Sequence, residues 1–143
     1  MIEIRTITEK DAESVARLST QLGYDSNIEQ TLLRIRQINN SNENCAYVAI
    51  FENKVVGWIH GFYTLRIESD AFVEIGGLVV DVAYRNLKIG KQLIEHIKLW
   101  AEQHHVKKLK VRCNTKRTES HQFYERIGFK ENKRQIALEM NVV

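Results

Sequence analysis

Apolar positions along the chain change period several times, and each change marks an element. Ile2 and Ile4 alternate with Glu3 and Arg5, the two-residue period of a half-buried strand. Ala12, Val15, Ala16 and Leu18 then recur at helical spacing, opened by Thr8 and Asp11 as a capping box and closed near Gly23. A second helical stripe, Ile28, Leu32, Ile35 and Ile38, follows Asn27, a capping residue with Gln30 three places on. The polar run 39–44 predicts a loop. Strands follow over 46–51 and 55–65, turning at Glu52 and Asn53, and a third over 72–80, the spacing of an antiparallel meander. Helical spacing returns at Ile89, with Leu93, Ile97 and Trp100 on the buried side, and runs to about Gln103. A strand over 108–113, a helix over 119–127 stopped by Gly128, and two closing strands over 129–132 and 135–142 complete the pattern. The order β-α-α-β-β-β-α-β-α-β-β predicts an α/β domain around a mixed sheet.

Composition narrows this picture without changing it. A chain of 143 residues, 43% hydrophobic and 27% charged, suits one domain (1–143) with a genuine core and does not suit disorder. The net charge of +3 would favour an anionic cofactor but is too small to argue for nucleic acid. No apolar run approaches ~20 residues, so no membrane partner is expected. The N-terminus carries no signal-peptide profile, and Cys45 and Cys113 stand far apart with no CxxC spacing, so reduced, inert thiols in a cytoplasmic protein are expected. The five histidines form no HExxH or comparable ligand set, and no metal is assigned.

Candidate chemistry gathers at GLVVDVAYRNLKIGKQL, residues 77–93. Leu78, Val79 and Val80 read as a buried strand, residues 81–86 as a polar turn, and Ile89 as the start of a helix. A helix N-terminus offers unpaired N–H groups and the positive end of a dipole, a site for phosphate. Arg85, Lys88 and Lys91 add charge at the same place. Within it RNLKIG (Arg85, Asn86, Leu87, Lys88, Ile89, Gly90) resembles the acetyl-CoA pyrophosphate loop of the GNAT superfamily of N-acetyltransferases, Q/R-x-x-G-x-G/A. Arg85 and Gly90 fill the outer positions. Lys88 replaces the middle glycine and would have to fit without glycine's left-handed freedom. A second segment, HQFYERIGF over 121–129, is similar to the superfamily's -FYEKLGF run. The resemblance covers nearly the whole chain.

It implies a mixed, mostly antiparallel sheet flanked by helices, and acetyl-CoA as co-substrate. Backbone groups of Leu78, Val79 and Val80 would hold the pantetheine arm, and residues 85–91 the phosphates. Tyr124 would act as general acid to the CoA thiolate. Glu74, an acidic residue in the apolar strand FVEIGGLVV, is the first candidate base for the acceptor amine, with His60 in VGWIHGFY the runner-up. Gly76 and Gly77 would mark a bulge leaving room for the acyl group. The superfamily's usual asparagine is Arg117 here, so Asn114 is a substitute contact to the cofactor arm by position, and Lys116 and Arg117 could reach the phosphates. The implied activity is direct acetyl transfer to a primary amine, on a small molecule or a peptide, in a ternary complex. The alternative is an acyl-CoA-binding sensor or assembly module that does not turn over. Asp25, Glu29, Glu68 and Asp70 make the acceptor-side segments partly acidic, a hint of a cationic acceptor. A homodimer is an expectation from the superfamily, with no apolar stripe to identify an interface.

Overall fold

The computed structural model describes all residues 1–143. The elements run β1 (Ile2–Thr6), α1 (Ala12–Ser19), α2 (Ile28–Asn39), β2 (Asn44–Phe51), β3 (Lys54–Thr64), β4 (Phe72–Val80), α3 (Ile89–Gln103), β5 (Leu109–Val111) and α4 (Thr118–Arg126). The strands form one five-stranded sheet in the order β1-β2-β3-β4-β5, antiparallel throughout except for the parallel pair β4–β5. The chain divides into two compact units, Met1–Arg112 and Cys113–Val143.

Local chemistry explains most boundaries in the first unit. The Thr8 N–H donates to Asp11 Oδ2 at 2.8 Å, and the same carboxylate takes a two-pronged bond from Arg5. Gly23, at φ 89°, ends the turn that follows α1. Asn27 Oδ1 accepts the Gln30 N–H and opens α2. Glu52 and Asn53 both take positive φ, the two-residue turn whose twist suits the β2–β3 hairpin. One face of the sheet is covered by α1 and α2, whose Val15, Leu18 and Ile35 join Val48, Val55 and Val79 in a buried cluster. The other face lies under α3, where Gly57 and Gly61 let Ile89, Leu93 and Ile97 approach the strand backbone.

The second unit holds α4, stopped at Gly128 (φ 114°), and an extended segment, 130–143. None of its residues is fully buried. The closing strands expected over 129–132 and 135–142 are not formed. Alternation is a property of the side chains, but a strand also needs a neighbour for its backbone groups, and this segment finds none in its own chain.

Candidate active site

The two edges of β4 differ. Its pairing with β5 covers Val73, Glu74 and Ile75 and then stops, so the outer edge from Gly76 to Val80 has no strand beside it. The Asp81 N–H donates to the Val56 carbonyl at 2.8 Å, which makes Trp58–Val79 a hydrogen-bonded pair in the β3–β4 register. Val79 therefore commits its backbone to β3, and its side chain is buried. Leu78 and Val80 turn their N–H and C=O groups to the open edge, where the Val80 carbonyl accepts from Arg85 Nε at 3.4 Å. Of the three residues expected to hold a pantetheine arm, two are free to do so.

The turn after β4 is anchored before it opens. Asp81, 5% exposed, accepts the Ala83 N–H at 3.0 Å, and this bond, with help from Gln21 and Arg17, holds its carboxyl below the usual range. The Val82 N–H donates to Gln21 Oε1. The chain then passes Asn86 at φ 77° and Lys88 at φ 62°. Lys88 is the N-cap of α3 and no side chain caps the helix; its first bond runs from the Gln92 N–H to the Lys88 carbonyl. The N–H groups of Ile89, Gly90 and Lys91 thus have no helical acceptor. Three amides without a helical acceptor and the positive end of the helix dipole stand at a turn that carries Arg85, Lys88 and Lys91, an electropositive place suited to an anion. Lys88 does not avoid the glycine conformation, as its side chain suggested. It adopts it, against a cost of about 1–2 kcal/mol.

On the α1–α2 face, Trp58, His60 and Phe62 project from β3 toward β4. His60 pairs with Gly77 while Gly61 pairs with Ile75, so Gly76 is the extra residue of a bulge. A β-carbon on Gly76 would lie 2.8 Å from His60 Nδ1, and one on Gly77 would lie 2.7 Å from the Trp58 ring. The bulge expected there is present, but the space the glycines free is taken by these rings rather than left for an acyl group.

His60 Nε2 lies 2.8 Å from Asn44 Oδ1, and Asn44 Nδ2 donates to Ser41 Oγ at 3.0 Å. With the Asn44 oxygen facing the ring, the contact suits the tautomer with the proton on Nε2 and the lone pair on Nδ1. Burial lowers the His60 pKa and keeps the ring neutral. The ring forms one wall of a cavity of about 420 Å³ that Arg34, Gln37, Ile38 and Asn44 complete; the lining contains a cation and no carboxylate. Glu74 is paired with Phe62 and so lies on the same face. Its side chain is 13% exposed and makes an ion pair of 3.6 Å with Arg112. Nothing in the sequence signalled that Asn44, Arg34 and Gln37 surround His60, because the first residue of β2 and the polar side of α2 meet it only through packing.

In the second unit, Tyr124 stacks edge-on against Phe123 and Phe129, and the Phe129 N–H closes the helix on its carbonyl. Burial raises its phenol pKa, with a smaller push from Cys113. Asn114 commits its carboxamide oxygen to the Lys116 N–H at 2.9 Å, so only its NH₂ remains for a ligand. Both cysteines are free thiols, and burial pushes Cys45 up to about 12 and raises Cys113, which suits neither to be a nucleophile at neutral pH. No group of histidine, cysteine and acidic residues is arranged to hold a metal ion.

No curated protein sequence matches the chain. Among solved structures, the aminoglycoside antibiotic 6'-N-acetyltransferase AAC(6')-Ih from Acinetobacter baumannii superposes with a TM-score of 0.88 at 18% identity, covering 100% of both chains. AAC(6')-Iy, solved with the bisubstrate analogue CoA-S-monomethyl-acetylneamine, superposes at 0.87 with 19% identity and 99% of both chains. The BH1408 protein from Bacillus halodurans gives 0.83 at 24% identity over 97% of this chain and 99% of its own. These likenesses establish the fold. A sequence profile described as the acetyltransferase (GNAT) family matches residues 11–129, and with the open β4 edge running into an uncapped helix this chain belongs to the GNAT acetyltransferase family.

Proposed function

We propose that the protein is an acetyl-CoA-dependent N-acetyltransferase that moves the acetyl group to a primary amine by direct transfer in a ternary complex. The observation that carries the reading is the continuity from the open Leu78 and Val80 groups, through the anchored turn, to the free amides at the start of α3. A thioester arm can lie along the first and its pyrophosphate on the last. An outward N–H of β4 polarises the thioester carbonyl and holds the oxyanion that forms on attack.

The acceptor must lose a proton, since an alkylamine with pKa near 10.4 is free base in only about one molecule in 2,500 at pH 7. Glu74 and His60 are the two candidates. His60 has the better credentials: a neutral ring, a free Nδ1 lone pair, and a place in the cavity wall. Glu74 serves through water or by holding Arg112. The amine nitrogen attacks the carbonyl carbon, the C–S bond breaks, and the amine proton passes to the base. Tyr124 donates to the departing sulfur. Proton transfer from an ordinary phenol near 10 to a thiolate near 8.5 is uphill by roughly 2 kcal/mol, and burial increases that gap. Its main contribution is therefore a hydrogen bond to the charge developing on sulfur.

Two of the three solved structures named above, AAC(6')-Ih and AAC(6')-Iy, are aminoglycoside acetyltransferases, so aminoglycosides belong in the acceptor panel. Arg34 in the concavity beside His60 and the acidic segments point to different acceptors, a monoamine and a polycation, so both belong in the panel. The test is release of free CoA thiol from acetyl-CoA across amines of both kinds, for wild type and Tyr124→Phe. Amine-dependent release that falls by about 10²–10³ in kcat in the variant is expected, the loss of one donor to developing charge. Tight acetyl-CoA binding with no amine-dependent release would instead favour a binding module.

A further inference from the structure

Within residues 1–112 the arginines are tied down, with one exception. Arg5, Arg17, Arg36, Arg66 and Arg112 pair with Asp11, Asp81, Glu9, Glu68 and Glu74, and Arg85 donates to the Val80 carbonyl. Arg34 makes no hydrogen bond or ion pair within the chain. It stands at the concavity of about 420 Å³ beside His60, with Gln37 and Ile38 on the same face of α2 and Asn44 at the start of β2. That volume falls within the range of small-molecule sites. Asp25, Glu29, Glu68 and Asp70, the acidic residues of the acceptor-side segments, are not part of the lining.

The concavity lies where the sheet opens. Pairing of β4 with β5 ends at Ile75, and the next residue, Gly76, is the bulged one. A β-carbon on Gly76 would lie 2.8 Å from His60 Nδ1. One wall of the concavity therefore touches the point from which the β4 edge is free to take a thioester arm. A molecule held there with one end at His60 turns its other end to the wall that α2 supplies.

The chemistry of that wall selects among amines. A guanidinium is a fixed fork of donors with no acceptor, and its match is a planar carboxylate taken two-pronged. A second ammonium on the acceptor would face Arg34 as a like charge, with no carboxylate in the lining to offset it. A phosphate, with a charge of about −2, calls for a second cation, and the lining has one. Gln37 adds a carboxamide donor, and Ile38 an apolar contact for aliphatic carbon.

We propose that the acceptor is a primary amine that also carries a carboxylate, of the amino-acid kind, and that Arg34 is the residue that selects it. The amine lies at His60 and the carboxylate on the Arg34 guanidinium, with Gln37 as the second donor. The proposal rests on the transferase reading above and names the acceptor class which that reading leaves open.

Matched pairs test it: leucine against leucinamide, and 6-aminohexanoate against 6-aminohexanamide, each compared at equal concentrations of free-base amine. In wild type the carboxylate member of at least one pair should have the higher kcat/KM by about 10–100-fold, the worth of a hydrogen-bonded contact to a charged group. Arg34→Gln should bring the members level, the loss falling on KM rather than kcat. Arg34→Lys, a charge without the fork, should keep part of the preference. Arg34 is exposed, so both variants should fold, with helical circular dichroism as the check. Calorimetric titration of leucine and of 6-aminohexanoate into the CoA-saturated protein is a second readout that needs no transfer. Amides or spermidine accepted as readily as the carboxylates would overturn the proposal and leave the transferase reading standing. So would a carboxylate preference that survives Arg34→Gln. Carboxylate binding that Arg34→Gln abolishes, with no transfer to any amine, would keep the site and overturn the transferase reading. Neither binding nor transfer would overturn both.

Discussion

From Val73 to Ile75, β4 is paired on both edges, and with Phe72 just before them Val73 and Ile75 are buried, at 2%, 0% and 4% exposure in chain order. From Gly76 to Val80 the same strand has a neighbour on one side only, carries two glycines and a bulge, and ends at a turn with two left-handed residues. The two halves share a backbone and little else. The first is bound by packing, where any loss of volume is felt throughout the core. The second is bound by what must be left free: outward N–H groups, an uncapped helix, rings fitted over glycine. An open edge of this kind is made by withdrawing a neighbour from one end of an ordinary core strand.

The largest effect expected from breaking this contrast lies in the packed half. Phe72→Ala should cost about 3–5 kcal/mol of stability, since its ring is buried in the sheet and carries Arg66 and Lys110 over its face. Urea unfolding measures it, and acetyl-CoA affinity of the molecules still folded should change less than twofold. In the open half, Gly77→Ala should cost less, about 1–3 kcal/mol, because the β-carbon 2.7 Å from the Trp58 ring forces a movable side chain rather than backbone to shift. Its signature is functional: the acceptor KM should rise while acetyl-CoA affinity holds. Equal loss of both would mean that the rings and the cofactor edge are one unit.

These positions also show how far the sequence reaches. Two periodicities were enough for the meander, for α2 and for α3, because each side chain's burial there follows from its own element. The capping pairs Thr8–Asp11 and Asn27–Gln30 and the stop at Gly23 depend on neighbours three or four residues away, and these too were legible. The turn after β4 and the start of α3 were legible, but the conformation of Lys88 was not, since a lysine says nothing of φ. The Ser41–Asn44–His60 chain joins residues from α2's exit and from β3, and no local pattern records it. The expected last strands failed for the opposite reason. Their local pattern is strong, and what is missing is a partner that only tertiary or quaternary structure can supply.

A smaller effect sharpens the reading of His60. Its imidazole is neutral in the fold with a lowered pKa, whereas in the unfolded chain it titrates near 6.5. Between those values the unfolded state binds more protons. The stability that follows from keeping His60 neutral is therefore complete above pH 6.5 and is lost as pH falls toward the folded pKa, by at most about 1.4 kcal/mol per pH unit. Thermal melts of wild type and His60→Gln between pH 7.5 and 5 should converge toward acid. If His60 is the base, kcat/KM of wild type should also stay level down through pH 6.5, since the ring remains free base below it. Parallel melting curves would show that the ring titrates alike in the folded and unfolded chain.

The smallest effect concerns Lys88, where the open half meets the helix. A lysine at φ 62° bears about 1–2 kcal/mol of backbone strain that glycine would not. Glycine returns roughly 0.5–1 kcal/mol of that through its freer unfolded state. Lys88→Gly should then stabilise the ligand-free protein by about 0.5–1 kcal/mol, or roughly 2–4 °C in Tm. The ammonium is the countervailing gain: if it bonds a phosphate, the glycine variant should bind acetyl-CoA several-fold more weakly and lose part of the salt dependence of binding. A variant more stable when free and weaker when liganded would mean that strain is held in the turn in exchange for a charge. If affinity is unchanged, the three free amides and Arg85 suffice for the phosphates, and Lys88 is only a tolerated departure from glycine.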